Sequence, residues 1–458
     1  MSILLKIVPA SVAKRFSLQS EKSKVFLVNA SVSFFIKGIN IFVSFLTVPL
    51  VLSFLSTTQY GIWLTLMAII SWFSLFDLGF GNGLRNKLTL SVATNNNADG
   101  RIYVSTTYAA LSAIFGSLLL LFFICNQFVN WTRIFNAPAT LGHDLNLAVL
   151  YAVSLLFVQF VLRLINTVLY AFQRSAFVDF VGTLAQISIL AGLYMLKVLH
   201  YNSLSSVALV YSVTPVCIFS VVSFILYVGK YKIIRPSFRF IKLDHVKSLL
   251  NLGLSFFVIQ VAALILYASD NFIITQFFTP ADVTVYNIAF KYFSITNMIF
   301  TIVLTPFWSM TTKAFSEGDF NWISKAVKKL SLLWGALVIC ELIQLAISKP
   351  LLKVWTHNSV MVPLALSITM SIYFVVMNWG VVFANFLNGV GKIRLQLYFS
   401  VVGMIVNIPL AIILIRSFHL GIIAVPLSTI IVMVGGNILS SIQYKKIISN
   451  RATGFWNK

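Results

Sequence analysis

The sequence predicts an all-α, polytopic membrane protein of twelve transmembrane helices arranged in two six-helix lobes, and three observations predict it. Hydrophobic residues make up 59% of the 458 positions and charged residues only 10%, with a mean hydropathy of +0.94, far more apolar than a soluble core of this length requires. Apolar stretches of about 20 residues, enough to cross a bilayer as helix, recur with no gap long enough for an extramembrane domain. Lys and Arg, finally, crowd into alternate connections.

Taken in order, the first lobe has spans near 26–54, 60–80, 102–125, 145–171, 176–198 and 204–229. The second has spans near 247–278, 283–310, 327–348, 360–386, 396–415 and 420–442. The N-terminus, MSILLKIVPASVAKRF, reads as an interfacial amphipathic helix because its apolar stretch is too short for a signal peptide. The domain plan is therefore an N-terminal lobe over 1–229, a basic connector over 230–246, a C-terminal lobe over 247–442 and a tail over 443–458.

Orientation follows from the tendency of Lys and Arg to stay on the cytoplasmic side. With the N-terminus inside, 25 of the 33 Lys and Arg fall in inner segments, five in outer loops and three within spans. Both termini are thus expected in the cytoplasm. The same asymmetry explains the net charge of +22 without nucleic acid. The most basic stretch, KYKIIRPSFRFIKLDHVK at 230–247, reads either as an ordinary inner loop or as a site for lipid headgroups.

A weak internal repeat supports two lobes. Ser33-Phe34-Phe35 and Gln59-Tyr60-Gly61 in the first are echoed by Ser255-Phe256-Phe257 and Val285-Tyr286-Asn287 in the second, and LYAFQR at 169–174 by LNGVGK at 387–392. The matching order and sidedness make the repeat parallel.

Three cations lie at bilayer depth: Lys37, Arg163 and Lys291. Each costs roughly 2.5 to 3.5 kcal/mol at the bilayer centre, so each should face protein or water. Helical spacing places them on polar stripes: Ser33, Lys37, Asn40, Ser44 and Thr47 on the first span, and Gln159, Arg163, Asn166, Tyr170 and Gln173 on the fourth. The eighth carries Asn287, Lys291, Ser294, Asn297, Thr301 and Thr305, and the tenth Asn378 and Asn385. Such stripes read as the lining of a wet, cationic cleft, although polar residues taken singly also join helices by hydrogen bonds. Asp270 and Glu341 stand open between cation partners and proton or sodium sites. Asp77 and Asp179 read as helix-end or capping groups.

Soluble-enzyme chemistry has little support. NGVGK at 388–392 has Ile393 where a phosphate-binding loop needs Ser or Thr, and GFGNG at 79–83 reads as a flexible exit from a span rather than a dinucleotide fingerprint. The five histidines lack metal-ligand spacing. Cys125, Cys217 and Cys340 stand singly in apolar segments and read as small packing residues. No catalytic residue, metal or cofactor is expected.

The stretches YGIWLTLMAIISWFSLFDLGFGNGLRNKL at 60–88 and FLNGVGKIRLQ at 386–396 resemble the Wzx flippases of O-antigen and polysaccharide repeats. That family belongs to the multidrug, oligosaccharidyl-lipid and polysaccharide exporter superfamily. The resemblance implies two six-helix lobes around a central cleft that opens alternately to each side of a bacterial inner membrane. It implies as cargo an undecaprenyl-diphosphate-linked oligosaccharide, with Lys37, Arg163 and Lys291 as candidates to hold its anionic head. Asn40, Gln159, Asn166, Asn297, Asn378 and Asn385 are candidate polar lining. Asp270 and Glu341 are candidates to couple a proton or sodium ion. Expected partners are the bilayer, the lipid-linked cargo and other polysaccharide-assembly proteins. Two rivals remain: a cation-coupled multidrug antiporter of the same superfamily, and a membrane polysaccharide polymerase, for which the outer connection at 126–144 is short.

Overall fold

The computed structural model describes residues 21–73, 80–172, 174–242, 244, 246, 261 and 269–457. The N-terminal segment to residue 20, Asp77, Gln173, His245, the repeat at 255–257 and most of the predicted seventh span lie outside the described residues, as do the side chains of Ser33 and Thr305. The described chain holds no strand. Its fifteen labelled helices are α1 (Glu21–Leu52), α2 (Thr57–Trp72), α3 (Phe80–Ala93), α4 (Asn97–Asn126), α5 (Gly142–Leu162), α6 (Leu164–Ala171), α7 (Ser175–Val198), α8 (Leu204–Val228), α9 (Asp270–Phe277), α10 (Pro280–Ser316), α11 (Phe320–Ala346), α12 (Ser348–Trp355), α13 (Leu364–Val390), α14 (Arg394–Arg416) and α15 (Ala424–Ile448). Every backbone N–H and C=O at bilayer depth needs an internal partner, and a helix supplies it locally.

Among the described residues, eight helical segments are long and apolar enough to cross a bilayer, or nine when α11 and α12, bent by 68°, are taken as one span. The twelve expected spans exceed that number for identifiable reasons. The second is a 16-residue helix, α2, followed by undescribed residues 74–79. The seventh is described only from Ser269 onward apart from residue 261, and the eighth lies in the 37-residue α10, in which several side chains are outside the described set.

The helices fall into two compact units. The first unit takes in α1 and α3–α8. Here α1 packs along α7, α8 along α5, and α3 against α4 and α6. Phe115 stacks on Phe160 at 4.8 Å and meets Phe157 at 5.9 Å, while the Tyr227 hydroxyl donates to that of Tyr108 at 3.3 Å between α8 and α4. Asp144 accepts the Leu204 and Ser205 amides at 2.7 and 3.0 Å, satisfying orphan donors at the start of α8. Residues 230–242 are strapped to α4: Arg101 Nε donates to the Arg235 carbonyl at 3.1 Å, and the amides of Ser237 and Lys242 donate to Ser105 Oγ and Thr106 Oγ1, each at 3.1 Å.

The second unit holds α2 and α9–α15, together with residues 132–139. Its centre is an apolar cluster that includes Phe300, Leu304, Ile323, Val382, Phe386 and Leu387. Although α2 belongs early in the sequence, it packs against α9 and α10. Gly61 explains how closely: a Cβ there would lie 1.6 Å from the Pro280 carbonyl oxygen, so only glycine fits. Thr65 and Thr275 share a 2.8 Å hydroxyl contact, and Thr284 Oγ1 donates to the Thr57 carbonyl at 2.7 Å.

Two local expectations are corrected. Within GFGNG, residues 80–83 are the first turn of α3, not a flexible exit. The predicted fourth span is borne out as one apolar helical run over Ala139–Ala171, with a single turn residue, Arg163, between α5 and α6. Cys125, Cys217 and Cys340 are exposed rather than packed inside, since a small apolar side chain at bilayer depth is equally at home against lipid. LNGVGK is a helix stop: Gly391 adopts a left-handed φ of +77°, and the Lys392 amide returns to the Leu387 carbonyl at 3.1 Å.

Candidate functional site

In the first unit the predicted cations stand on the outside of their helices. Lys37 is exposed on α1. Asn40, on the same stripe, donates from Nδ2 to Thr183 Oγ1 at 3.4 Å and so links α1 to α7; Thr47 turns back to the Val43 carbonyl. Arg163 is exposed where α5 gives way to α6. Its amide bonds the Gln159 carbonyl at 2.8 Å and its carbonyl accepts the Asn166 amide at 2.9 Å, a locally tightened turn. Gln159 and Asn166 are half-buried, and Asn166 Oδ1 is buried without a hydrogen-bond partner. Near the same end of the unit, the Arg85 guanidinium lies 5.0 Å from the Tyr170 ring centroid, within cation–π range. Tyr170 also feels the charges of Asp179 and Arg163. Arg85 escaped the sequence reading because it appeared as one more basic loop residue; its i+3 offset from Asn82 carries no polar stripe.

The second unit treats its polar groups differently. Lys291 is half-buried on α10. Its stripe does run along one helix, but the bonds diverge. Asn287 donates to Asn271 Oδ1 on α9 at 2.7 Å, whereas Asn297 donates to Asn378 Oδ1 on α13 at 2.8 Å. Asn378, 1% exposed, donates onward to Thr296 Oγ1 at 3.4 Å, and Thr296 donates to Glu341 Oε1 on α11. Asn297, Asn378 and Glu341, predicted separately, thus form one hydrogen-bonded chain across three helices, buried but for the half-buried Asn297, with Thr296 as the member that spacing did not single out. Asn385 instead bonds its own helix at the Val381 carbonyl, 2.9 Å away.

Asp270 begins α9 and is 3% exposed; it accepts the Tyr286 hydroxyl at Oδ2. Glu341 is 1% exposed. Each carboxyl keeps a second oxygen, Asp270 Oδ1 and Glu341 Oε2, buried without a hydrogen-bond partner. Among the described residues, no three His, Cys, Asp or Glu side chains gather into a metal-sized group.

Helices long and apolar enough to cross a bilayer, eight or nine among the described residues, define the class as a multi-pass membrane protein. The MatE family model matches residues 256–413. A putative O-antigen export protein of Yersinia pseudotuberculosis is 22% identical over 364 residues, covering 78% of this chain and 81% of that relative. Among solved structures, the chain resembles an inward-facing multidrug resistance MATE family transporter with a TM-score of 0.73 at 13% identity, over 93% of this chain and 96% of that one. It also resembles the lipid II flippase MurJ in an inward closed conformation, with a TM-score of 0.66 at 14% identity, over 93% and 94% respectively. The chain is therefore similar to members of the multidrug, oligosaccharidyl-lipid and polysaccharide exporter superfamily, in keeping with the resemblance carried by the stretches at 60–88 and 386–396.

Proposed function

We propose that the chain is a flippase carrying an undecaprenyl-diphosphate-linked oligosaccharide, an O-antigen or other polysaccharide repeat unit, from the cytoplasmic to the periplasmic leaflet of a bacterial inner membrane by alternating access. In this reading both termini are cytoplasmic, as the distribution of Lys and Arg favours. The observation that carries the reading is the sign of the accessible charge: Lys37 and Arg163 are exposed cations, while Asp270 and Glu341 are buried. The O-antigen export name of the Yersinia relative supports the same cargo class.

The chemistry required is recognition without covalent change. Lys37, Arg163 and Lys291 attract the diphosphate or an acidic sugar, and Asn40, Gln159, Asn166 and Asn385 offer hydrogen bonds to hydroxyls while the isoprenoid stays in lipid. A membrane potential negative inside favours outward movement of an anion by about 2.3 kcal/mol per charge per 100 mV. Asp270 and Glu341 supply the return leg, because a buried charge is tolerated only when paired and an open carboxyl oxygen is where a proton or sodium ion binds. The test is a proteoliposome assay that follows a defined lipid-linked oligosaccharide from one leaflet to the other, with and without a cation gradient. Absence of protein-dependent exchange in both conditions sinks the proposal.

A second reading, a cation-coupled multidrug antiporter, draws on one observation: the two buried carboxyl groups of the second unit. Resistance to cationic drugs on expression, with no lipid exchange, would put it first.

A further inference from the structure

The strap over residues 230–242 does more than join two parts of the chain. It contains five Lys or Arg and no Asp or Glu. Lys232, Arg235 and Arg239 are all exposed. Among these charges stand two large, exposed apolar side chains, Phe238 at 92% exposure and Ile233 at 64%. A solvated loop has no reason to present a bare phenyl ring between guanidinium groups.

The depth of the strap follows from the helix before it. On α8, Val221, Phe224, Ile225 and Val228 are all more than half exposed, and their spacing of three and four puts them on one face. That face is apolar and belongs against acyl chains. It ends at Gly229, so the residues that follow lie at headgroup level, whichever side of the bilayer that is. The strap is also already ordered. Arg101 holds the Arg235 carbonyl and stacks on the Phe240 ring at 4.2 Å, and Ser105 and Thr106 hold two further amides. Little chain freedom is then left to lose on binding.

We propose that residues 230–242 form a docking platform for anionic phospholipid, with Phe238 and Ile233 entering the boundary between headgroups and acyl chains and Lys232, Arg235 and Arg239 contacting the phosphates. Charge complementarity and continuity with the lipid-facing side of α8 select this occupant over a protein partner. The platform rests on the membrane reading of the chain and is independent of the cargo.

The test uses the full chain purified in neutral detergent and offered dioleoylphosphatidylglycerol or dioleoylphosphatidylcholine at equal concentration, with bound lipid counted by native mass spectrometry. The unaltered protein should prefer the glycerol lipid, and that preference should fall as ionic strength rises. Replacing Lys232→Gln, Arg235→Gln and Arg239→Gln together should lower glycerol-lipid retention by about tenfold or more, and Phe238→Ser should lower it by about threefold. Lys325→Gln, Lys328→Gln and Lys329→Gln, the same charge change on exposed residues of α11, should leave retention within about twofold. Equal binding of both lipids, salt-insensitive retention, or equal loss in the two triple variants would overturn the proposal. None of these readouts involves oligosaccharide movement, so they stand or fall separately from the flippase assay.

Discussion

The two units handle charge in opposite ways. In the first, Lys37 and Arg163 project from helix surfaces, and Asp144 is spent on capping a helix start. In the second, Asp270 and Glu341 are drawn inside and held by hydroxyl donors, and Asn297, Asn378 and Thr296 extend that interior chain. Surface cations meet what comes from outside; interior acids report to the packing around them. The difference teaches that polar residues on apolar helices serve separate purposes, and that the partner of a stripe matters more than its spacing. It also separates two kinds of damage: variants in the interior chain should loosen the fold, while variants of the outward cations should leave the fold intact and alter transport.

The largest effect should come from the tightest packing. Gly61→Ala forces a Cβ onto the Pro280 carbonyl and should destabilise the second unit by about 2–3 kcal/mol, visible as a lower thermal midpoint in detergent and less protein in the membrane. An unchanged midpoint would remove the close approach from the account. Next, Thr296→Val takes the hydroxyl from Glu341 and should cost about 1–2 kcal/mol. Glu341→Gln should cost less, because an acceptor oxygen remains, yet it should abolish any dependence of transport on a cation gradient. If the glutamine variant keeps full gradient dependence, Glu341 is structural only.

Asp144→Ala removes the acceptor at the start of α8 and should lower stability by about 1 kcal/mol, read from the same melts. The smallest change in stability belongs to Lys37→Gln, within about 0.5 kcal/mol for an exposed side chain. That variant nevertheless should diminish surface polysaccharide at normal protein abundance. Should it instead fail to accumulate, the contrast between the two units collapses.

Much of this was legible in the sequence. Apolar runs gave the helices, because bilayer thickness fixes their length, and the scarcity of charge made Lys37, Arg163 and Lys291 conspicuous. What the sequence withheld is the pairing of helices. Thr296 and Glu341 are 45 residues apart and Asn297 and Asn378 are 81 apart, and no periodicity within a helix says which neighbour its stripe will touch. The assignment of α2 to the second unit was hidden for the same reason. GFGNG misled because glycine propensity argues against helix in water, whereas helices at bilayer depth tolerate it.

The place of α2 has a consequence for how the chain is made. Thr65 meets Thr275 and Thr57 meets Thr284, across 210 and 227 residues of sequence. At synthesis rates of about 5–20 residues per second, this helix leaves the ribosome roughly ten to forty-five seconds before the surface that Gly61 fits has been translated. During that interval a 16-residue segment with a notch cut for an absent neighbour has to wait in the bilayer or the insertion machinery, which makes it the natural place for a holding factor to act and for assembly to stall.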